Sequence, residues 1–136
     1  MHWEYSCGAV VFTRRGGQPL YVVVEEQPGH YSFPKGHMEG NETEIETARR
    51  EILEETGLQP TFLEGFRYQE EYHLSEKPGT WKRVTYFLAE FGDDPMTPQP
   101  GEIQRILLLP CEEALPLFRH EGTRQILTAA HAFLTK

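Results

Sequence analysis

Five segments of the chain carry the hydrophobic pattern of β-strands. In each, β-branched and aromatic residues either alternate with polar residues or form a short apolar run, and turn residues lie at the boundaries. The pattern predicts strands over 6–13, 20–26, 61–74, 80–91 and 103–109. The connections 14–19 and 75–79 contain Gly and Pro, which favour turns. We therefore expect two antiparallel hairpins and one further strand.

The spacing of apolar residues becomes helical after residue 43. Thr43 and Glu46 have the spacing of a capping box, and Gly57 is placed to end the helix in a left-handed conformation. Three apolar residues recur between them at intervals that fit one helix face: Ile45, Ala48 and Ile52. Two shorter helical stretches are predicted over 111–118 and 123–134.

The order of these elements and the length of the chain indicate one domain. Strands interleaved with helices around one core predict an α/β or α+β fold, a mixed β-sheet sandwiched between helices. A length of 136 residues is typical of a chain that folds around one hydrophobic core, so we expect one domain over 1–136. The segment 27–41 contains repeated Gly and Pro and is predicted to be a loop with no long regular element.

Charge and composition narrow the range of possible functions. Thirteen basic and 21 acidic side chains give a net charge of −8, which opposes binding to nucleic acid or anionic lipid. No apolar run is long enough to span a membrane, and residues 1–5 lack the features of a secretory signal. Cys7 and Cys111 are isolated and form no disulfide framework. We expect a cytoplasmic globular protein with a small-molecule substrate and no nucleic-acid or membrane partner.

The predicted central helix is unusually acidic. At about 100° per residue, Glu51, Glu54 and Glu55 fall within one third of its circumference, next to the apolar stripe. Carboxylates held this close raise one another's proton affinity unless a cation neutralises them, and hard oxygen donors suit Mg²⁺ or Mn²⁺. From these residues alone, a solvated acidic helix face remains an equally good interpretation.

The longer motif around this helix resolves the ambiguity. Gly36 is followed after five residues by Glu42, and after seven more by the segment Arg50–Leu58, which reads Arg-Glu-Ile-Leu-Glu-Glu-Thr-Gly-Leu. This arrangement resembles the Nudix box at all nine specified positions. The resemblance implies the Nudix fold and metal-dependent hydrolysis of a pyrophosphate link in a nucleoside diphosphate derivative, with Mg²⁺ as cofactor and Mn²⁺ as a substitute.

The resemblance also assigns roles within the box. It implies that the carbonyl of Gly36 and the carboxylates of Glu51, Glu54 and Glu55 bind metal. Glu51 and Glu54 are also the catalytic candidates of the box. Glu42 and Arg50 are expected to pair and support the loop and helix rather than act in catalysis.

The segments that flank the box are similar to those of the asymmetrical diadenosine tetraphosphate hydrolases within the family. These segments are 31–37, with Lys35 and His37, and 82–88, with Lys82 and Tyr86. The similarity implies that Lys35 and His37 contact phosphates and that Tyr86 stacks on adenine, while Lys82 is a further candidate for substrate binding. An exposed loop position for Lys35 and His37 and a packing role for Tyr86 stay open as alternatives.

A further carboxylate from a loop remote in sequence is common in the family as a metal ligand or general base. Glu102 matches that place, and we count it with the catalytic candidates, with Glu90, Asp93 and Asp94 as rivals. The expected reaction is hydrolysis of diadenosine tetraphosphate to ATP and AMP. The alternatives are a nucleoside triphosphate pyrophosphohydrolase, an RNA 5′-pyrophosphohydrolase, a diphosphoinositol phosphatase, and a nucleotide-binding module without activity. The oligomeric state does not follow from the sequence.

Overall fold

The structure is a computed structural model that describes residues 1–136. Eight strands are present: β1 (His2–Arg15), β2 (Gln18–Gln27), β3 (His30–Ser32), β4 (Lys35–His37), β5 (Thr61–Phe62), β6 (Tyr68–His73), β7 (Thr80–Glu90) and β8 (Arg105–Leu109). Three α-helices are present: α1 (Glu44–Thr56), α2 (Cys111–Ala114) and α3 (Glu121–Leu134), with a 3₁₀ turn over Leu115–Leu117. No helix combines the length and the apolar character needed to cross a bilayer.

The strands form one mixed sheet with β1 near its centre. The main path is β3-β2-β1-β7-β5, while β4 pairs with β1, β6 with β7, and β8 with β2. Both predicted hairpins are confirmed, because β1 pairs antiparallel with β2 and β6 pairs antiparallel with β7. The predicted continuous strand over 61–74 is wrong, because it is interrupted between β5 and β6. Gly65 lies in that interruption, next to Phe133 of α3, and its φ of 92° is a left-handed conformation that favours glycine.

Helices cover both faces of this sheet, as predicted. On one face, Ala48 and Ile52 of α1 are buried against Val11 and its neighbours on β1. On the other face, Ile126 and Leu127 of α3 are buried against a second apolar cluster that includes Val10. Adjacent residues of β1 thus belong to different cores, as the alternation of side chains along a strand requires.

The central helix α1 begins and ends where the sequence predicts. The hydroxyl of Thr43 accepts from the Glu46 backbone N–H at 3.1 Å, and the Glu46 carboxylate accepts from the Thr43 N–H at 2.8 Å. Gly57 ends the helix with φ 77° and donates its N–H to the Leu53 carbonyl at 2.9 Å. These caps satisfy backbone groups at both ends and fix which side chains face the sheet.

The parallel pairing of β1 with β7 has no counterpart among the sequence predictions. It places Glu4 beside Lys82 and Ser6 beside Val84. Two segments that are almost 80 residues apart along the chain thereby form one surface. That surface contributes to the functional site.

Candidate active site

Carboxylates of α1 line an acidic cavity of about 410 Å³. Glu51, Glu54 and Glu55 all face it, as does the backbone of Gly36. Four predicted side chains from other segments line the same cavity: Lys35, His37, Lys82 and Glu102. The fold therefore brings the glutamates of the box together with three cationic candidates and with Glu102.

Glu55 is the most buried carboxylate of this group, with 8% of its surface exposed. Its Oε1 has no hydrogen-bond partner, and the nearby Ser6 Oγ is also unpartnered. Burial, together with the hydrogen bond and charge of Glu51, raises the pKa of Glu55 well above its ordinary value. Without a cation, Glu55 therefore favours its protonated form.

Arg50 organises the acidic side of the cavity. Its Nε and Nη2 donate to the two carboxylate oxygens of Glu42 at 2.6 and 3.0 Å. Its Nη1 donates to Glu51 Oε2 at 2.8 Å, and its Nη2 also donates to the His37 carbonyl at 2.9 Å. The Arg50 guanidinium is the main reason that the pKa of Glu42 is lowered to about 2. Arg50 thus joins α1 to the preceding loop.

Gly36 is required by the close approach of this loop to α1. A Cβ atom at position 36 would overlap the carboxylate of Glu51. The loop is held from the other side by Gly8 of β1, where a Cβ would overlap the Pro34 carbonyl. At Gly8 the neighbouring atom belongs to the backbone, so a residue with no side chain is needed there. At Gly36 the missing side chain lets the loop lie against the Glu51 carboxylate.

The donor set fits a hard divalent cation. In the conformation of the structure, no three His, Cys, Asp or Glu side chains are arranged around a common metal position, and Arg50 binds an oxygen of Glu51. However, an unpartnered buried oxygen on Glu55 beside two further glutamates is the oxygen chemistry that Mg²⁺ prefers. The residues present could therefore hold such an ion after a local change of side-chain position.

Cationic side chains border the carboxylates. Burial lowers the pKa of Lys82, and the nearby Lys35 lowers it further. His37 Nε2 lies 3.7 Å from Glu4 Oε1, and Lys77 Nζ donates to Glu4 Oε2 at 3.0 Å. Lys35 and Lys82 line the same cavity and disfavour each other's charge, so an anionic ligand beside both would be favoured.

A second cavity of about 170 Å³ adjoins the acidic one. Lys35 and Glu26 line both. The second cavity presents the aromatic side chains of Tyr31 and Tyr72 and the carboxylate of Glu70. Sequence reasoning missed Glu26, Tyr31 and Glu70, although the alternation of Glu70 and Tyr72 along β6 is a signal that both face the same side. The side chain of His73, the residue after Tyr72, packs edge-on against Trp81.

The structure buries the side chain of Tyr86, as the packing alternative expects, and its stacking on adenine stays a prediction. Tyr86 is 1% exposed and belongs to the core cluster of the α3 face, with its ring 6.1 Å from that of Phe33 in an edge-on arrangement. Tyr86 also lines the second cavity. Alternation along β7 directs Tyr86 inward between Val84 and Leu88, which the sequence interpretation allowed as a packing role.

The carboxylates proposed as rivals of Glu102 lie elsewhere. Glu90 is 4.0 Å from Arg14, and Asp93 is 3.5 Å from Arg15. Neither these residues nor Asp94 line the acidic cavity, whereas Glu102 does.

Comparison with known proteins agrees with this geometry. Residues 4–130 match the NUDIX domain. The chain belongs to the Nudix family. Its match extends well beyond the box and includes both helical layers of the fold.

Relatives within the Nudix family are similar over nearly the whole chain. The asymmetrical bis(5′-nucleosyl)-tetraphosphatases of Sus scrofa and Mus musculus are 34% and 33% identical to it, with 95% of this chain and 94% of each relative covered. The crystal structure of a C. elegans Ap4A hydrolase binary complex superimposes with a TM-score of 0.87 at 26% identity, covering 96% of this chain and 97% of that chain. The protein is thus a Nudix hydrolase that acts on phosphoric anhydride bonds, similar to the asymmetrical tetraphosphatases.

Proposed function

We propose that this Nudix hydrolase cleaves dinucleoside polyphosphates with the help of Mg²⁺, and that diadenosine tetraphosphate is converted to ATP and AMP. The observation that carries the proposal is the junction of the two cavities at Lys35. A phosphate chain beside the carboxylates of α1 would continue past this lysine to a base beside Tyr31 and Tyr72. The names of the two mammalian relatives support the same substrate class.

The chemistry follows from the charges in the acidic cavity. Glu51, Glu54, Glu55 and the Gly36 carbonyl would hold the cation. When bound, a divalent ion would neutralise phosphate charge and lower the pKa of the attacking water. Mn²⁺, which accepts the same oxygen donors, would be a substitute.

The protein's own side chains would complete the reaction. Lys35, Lys82 and His37 would bind and orient the phosphate chain through charge-assisted hydrogen bonds. Glu102 or a glutamate of the box would accept the proton of the water. Glu42 and Arg50 would fix the position of Glu51 without contacting the substrate.

A substrate panel tests the proposal. The protein with Mg²⁺ is incubated separately with diadenosine tetraphosphate, nucleoside triphosphates and 5′-triphosphorylated RNA, and the products are separated by chromatography. We expect diadenosine tetraphosphate to have the highest kcat/KM and to yield equal amounts of ATP and AMP. In ¹⁸O-labelled water, the label should enter only one of these two products. Formation of two ADP molecules, or faster cleavage of the triphosphates or RNA, would contradict the proposal. Location in the cytoplasm stays a prediction.

A further inference from the structure

Glu70 places a carboxylate in the second cavity, which we call the aromatic cavity because Tyr31 and Tyr72 line it. The proposed reaction gives this carboxylate no role. On β6, Glu70 and Tyr72 face this cavity, and the intervening Glu71 points to the opposite face of the sheet. Glu71 is exposed and accepts from Arg83 Nε at 2.6 Å. Glu71 therefore has a partner on the outer face of the sheet, whereas Glu70 lies in the cavity.

Glu70 has no partner within the protein. It is partly buried, yet no hydrogen bond and no ion pair within 4.0 Å joins its carboxylate to another residue. The basic residues His120, Lys35 and Lys82 act on its charge, and none of them approaches to salt-bridge distance. Burial raises the pKa of this carboxyl group because it disfavours the charged form, and a hydrogen-bond donor on a ligand would offset part of that cost.

Helix α3 leaves space for this carboxylate. Gly122 lies in the first turn of α3, and a Cβ atom at this position would overlap the Glu70 carboxylate. The absence of a side chain at 122 therefore makes room for Glu70 beside the helix. Tyr72, two residues further along β6, lines the same cavity, so a ring that packs on this tyrosine would have the Glu70 carboxylate on the same side of the strand.

We infer that Glu70 is a specificity-determining residue that accepts a hydrogen bond from the exocyclic amine of the substrate's adenine. The inference rests on the proposed function, because that function places the base in the aromatic cavity. An ionised carboxylate only accepts hydrogen bonds, so it favours a base that presents an N–H group. A site built to bond a substrate N–H discriminates against an analogue without it, because the acceptor in the site is then left unpaired.

Mononucleotide binding tests this inference apart from hydrolysis. The probes are AMP and purine riboside 5′-monophosphate, which differs from AMP only in lacking the amine, and their affinities are measured by calorimetry. We expect the wild-type protein to bind AMP about 10-fold more tightly, the effect of a hydrogen bond to a charged acceptor. In Glu70→Leu the two affinities should lie within about 2-fold of each other, because the acceptor is lost. In Glu70→Gln the preference for AMP should persist in part, since the amide oxygen still accepts.

Glu71→Leu is the matched control, because it makes the same change at the adjacent position on the outer face. It should keep the wild-type preference for AMP. If Glu70 only supports α3, Glu70→Leu and Glu70→Gln will lower the melting temperature and leave the preference for AMP unchanged, which would overturn the inference. Tighter binding of GMP than of AMP by the wild-type protein would overturn it as well.

The inference and the proposed function can fail separately. If diadenosine tetraphosphate is not cleaved but the preference for AMP disappears in Glu70→Leu, the proposed reaction is wrong and the base site is right. If diadenosine tetraphosphate is cleaved to ATP and AMP while the preference is the same in wild type and Glu70→Leu, only the role of Glu70 is wrong.

Discussion

Arg50 and Glu42 form a two-bond ion pair, with Nε to Oε2 at 2.6 Å and Nη2 to Oε1 at 3.0 Å. Glu42 also accepts from the Thr47 hydroxyl at 2.8 Å and from the Glu39 backbone N–H at 3.0 Å. The carboxylate of Glu42 thus holds the loop, the start of α1 and Arg50 together. Because Arg50 also bonds to Glu51, the pair determines where one glutamate of the acidic cavity lies.

The first prediction concerns the pH dependence of stability. The pKa of Glu42 is lowered from 4.5 to about 2 in the folded protein. An acid whose pKa is lower in the folded than in the unfolded protein stabilises the folded state at pH values above its unfolded-state pKa. This stabilisation is lost as the pH falls through the folded-state pKa. Glu42→Gln should therefore be less stable than wild type at pH 7, and the difference should shrink between about pH 4.5 and pH 2. Chemical denaturation at several pH values measures it, with the exposed Glu64→Gln as control.

A second prediction addresses the buried glutamate. Glu55→Gln keeps the size of the side chain and removes its charge, so kcat should fall at least about 100-fold, equivalent to roughly 2.7 kcal/mol of activation free energy. The free energy of unfolding without metal should stay equal or rise, because burial and Glu51 both disfavour the charged form of Glu55. Steady-state kinetics at saturating Mg²⁺ and a thermal melt of the same preparation provide the two measurements. Near-normal kcat would remove Glu55 from the metal-binding group.

Tyr86 provides a third prediction, now for stability rather than binding. Because its ring is buried, Tyr86→Ala should lower the free energy of unfolding by about 3–5 kcal/mol, as truncation of a large aromatic residue in a core does. Tyr86→Phe should cost less than about 1.5 kcal/mol, since the ring and its packing are retained. An Ala variant with wild-type stability and a raised KM would instead support the predicted stacking role.

The fourth prediction concerns the lysine shared by the two cavities. Lys35→Gln should raise KM about 10-fold, the effect of losing one hydrogen bond to a charged group. The melting temperature should change little, because no hydrogen bond or ion pair joins the Lys35 ammonium group to another residue. Lys136→Gln, at the exposed end of the chain, serves as control and should leave KM unchanged. A KM effect of equal size in both variants would indicate only a general loss of positive charge.

Local sequence determined the central helix and most of the chemistry on it. The helix depends on contacts between residues a few positions apart: the capping hydrogen bonds of Thr43 and Glu46, the C-terminal hydrogen bond of Gly57, and the apolar stripe. The spacing of these residues was therefore sufficient to predict the helix. The same spacing set Glu51 and Glu55 on one side of the helix. The motif and its flanking segments then identified the family, which comparison confirmed.

The tertiary structure alone decided which side chains share a cavity. Tyr86 and Glu70 both lie in strands with alternating side chains. The sequence showed that each side chain points to one face of its strand, but not which segments pack against that face. The sheet buries Tyr86 under α3 but leaves Glu70 at the cavity beside Gly122. The parallel pairing of β1 with β7 was equally hidden, because it joins residues almost 80 positions apart and depends on the whole core. Periodicity reports contacts within a segment, whereas burial depends on the segments that pack against it.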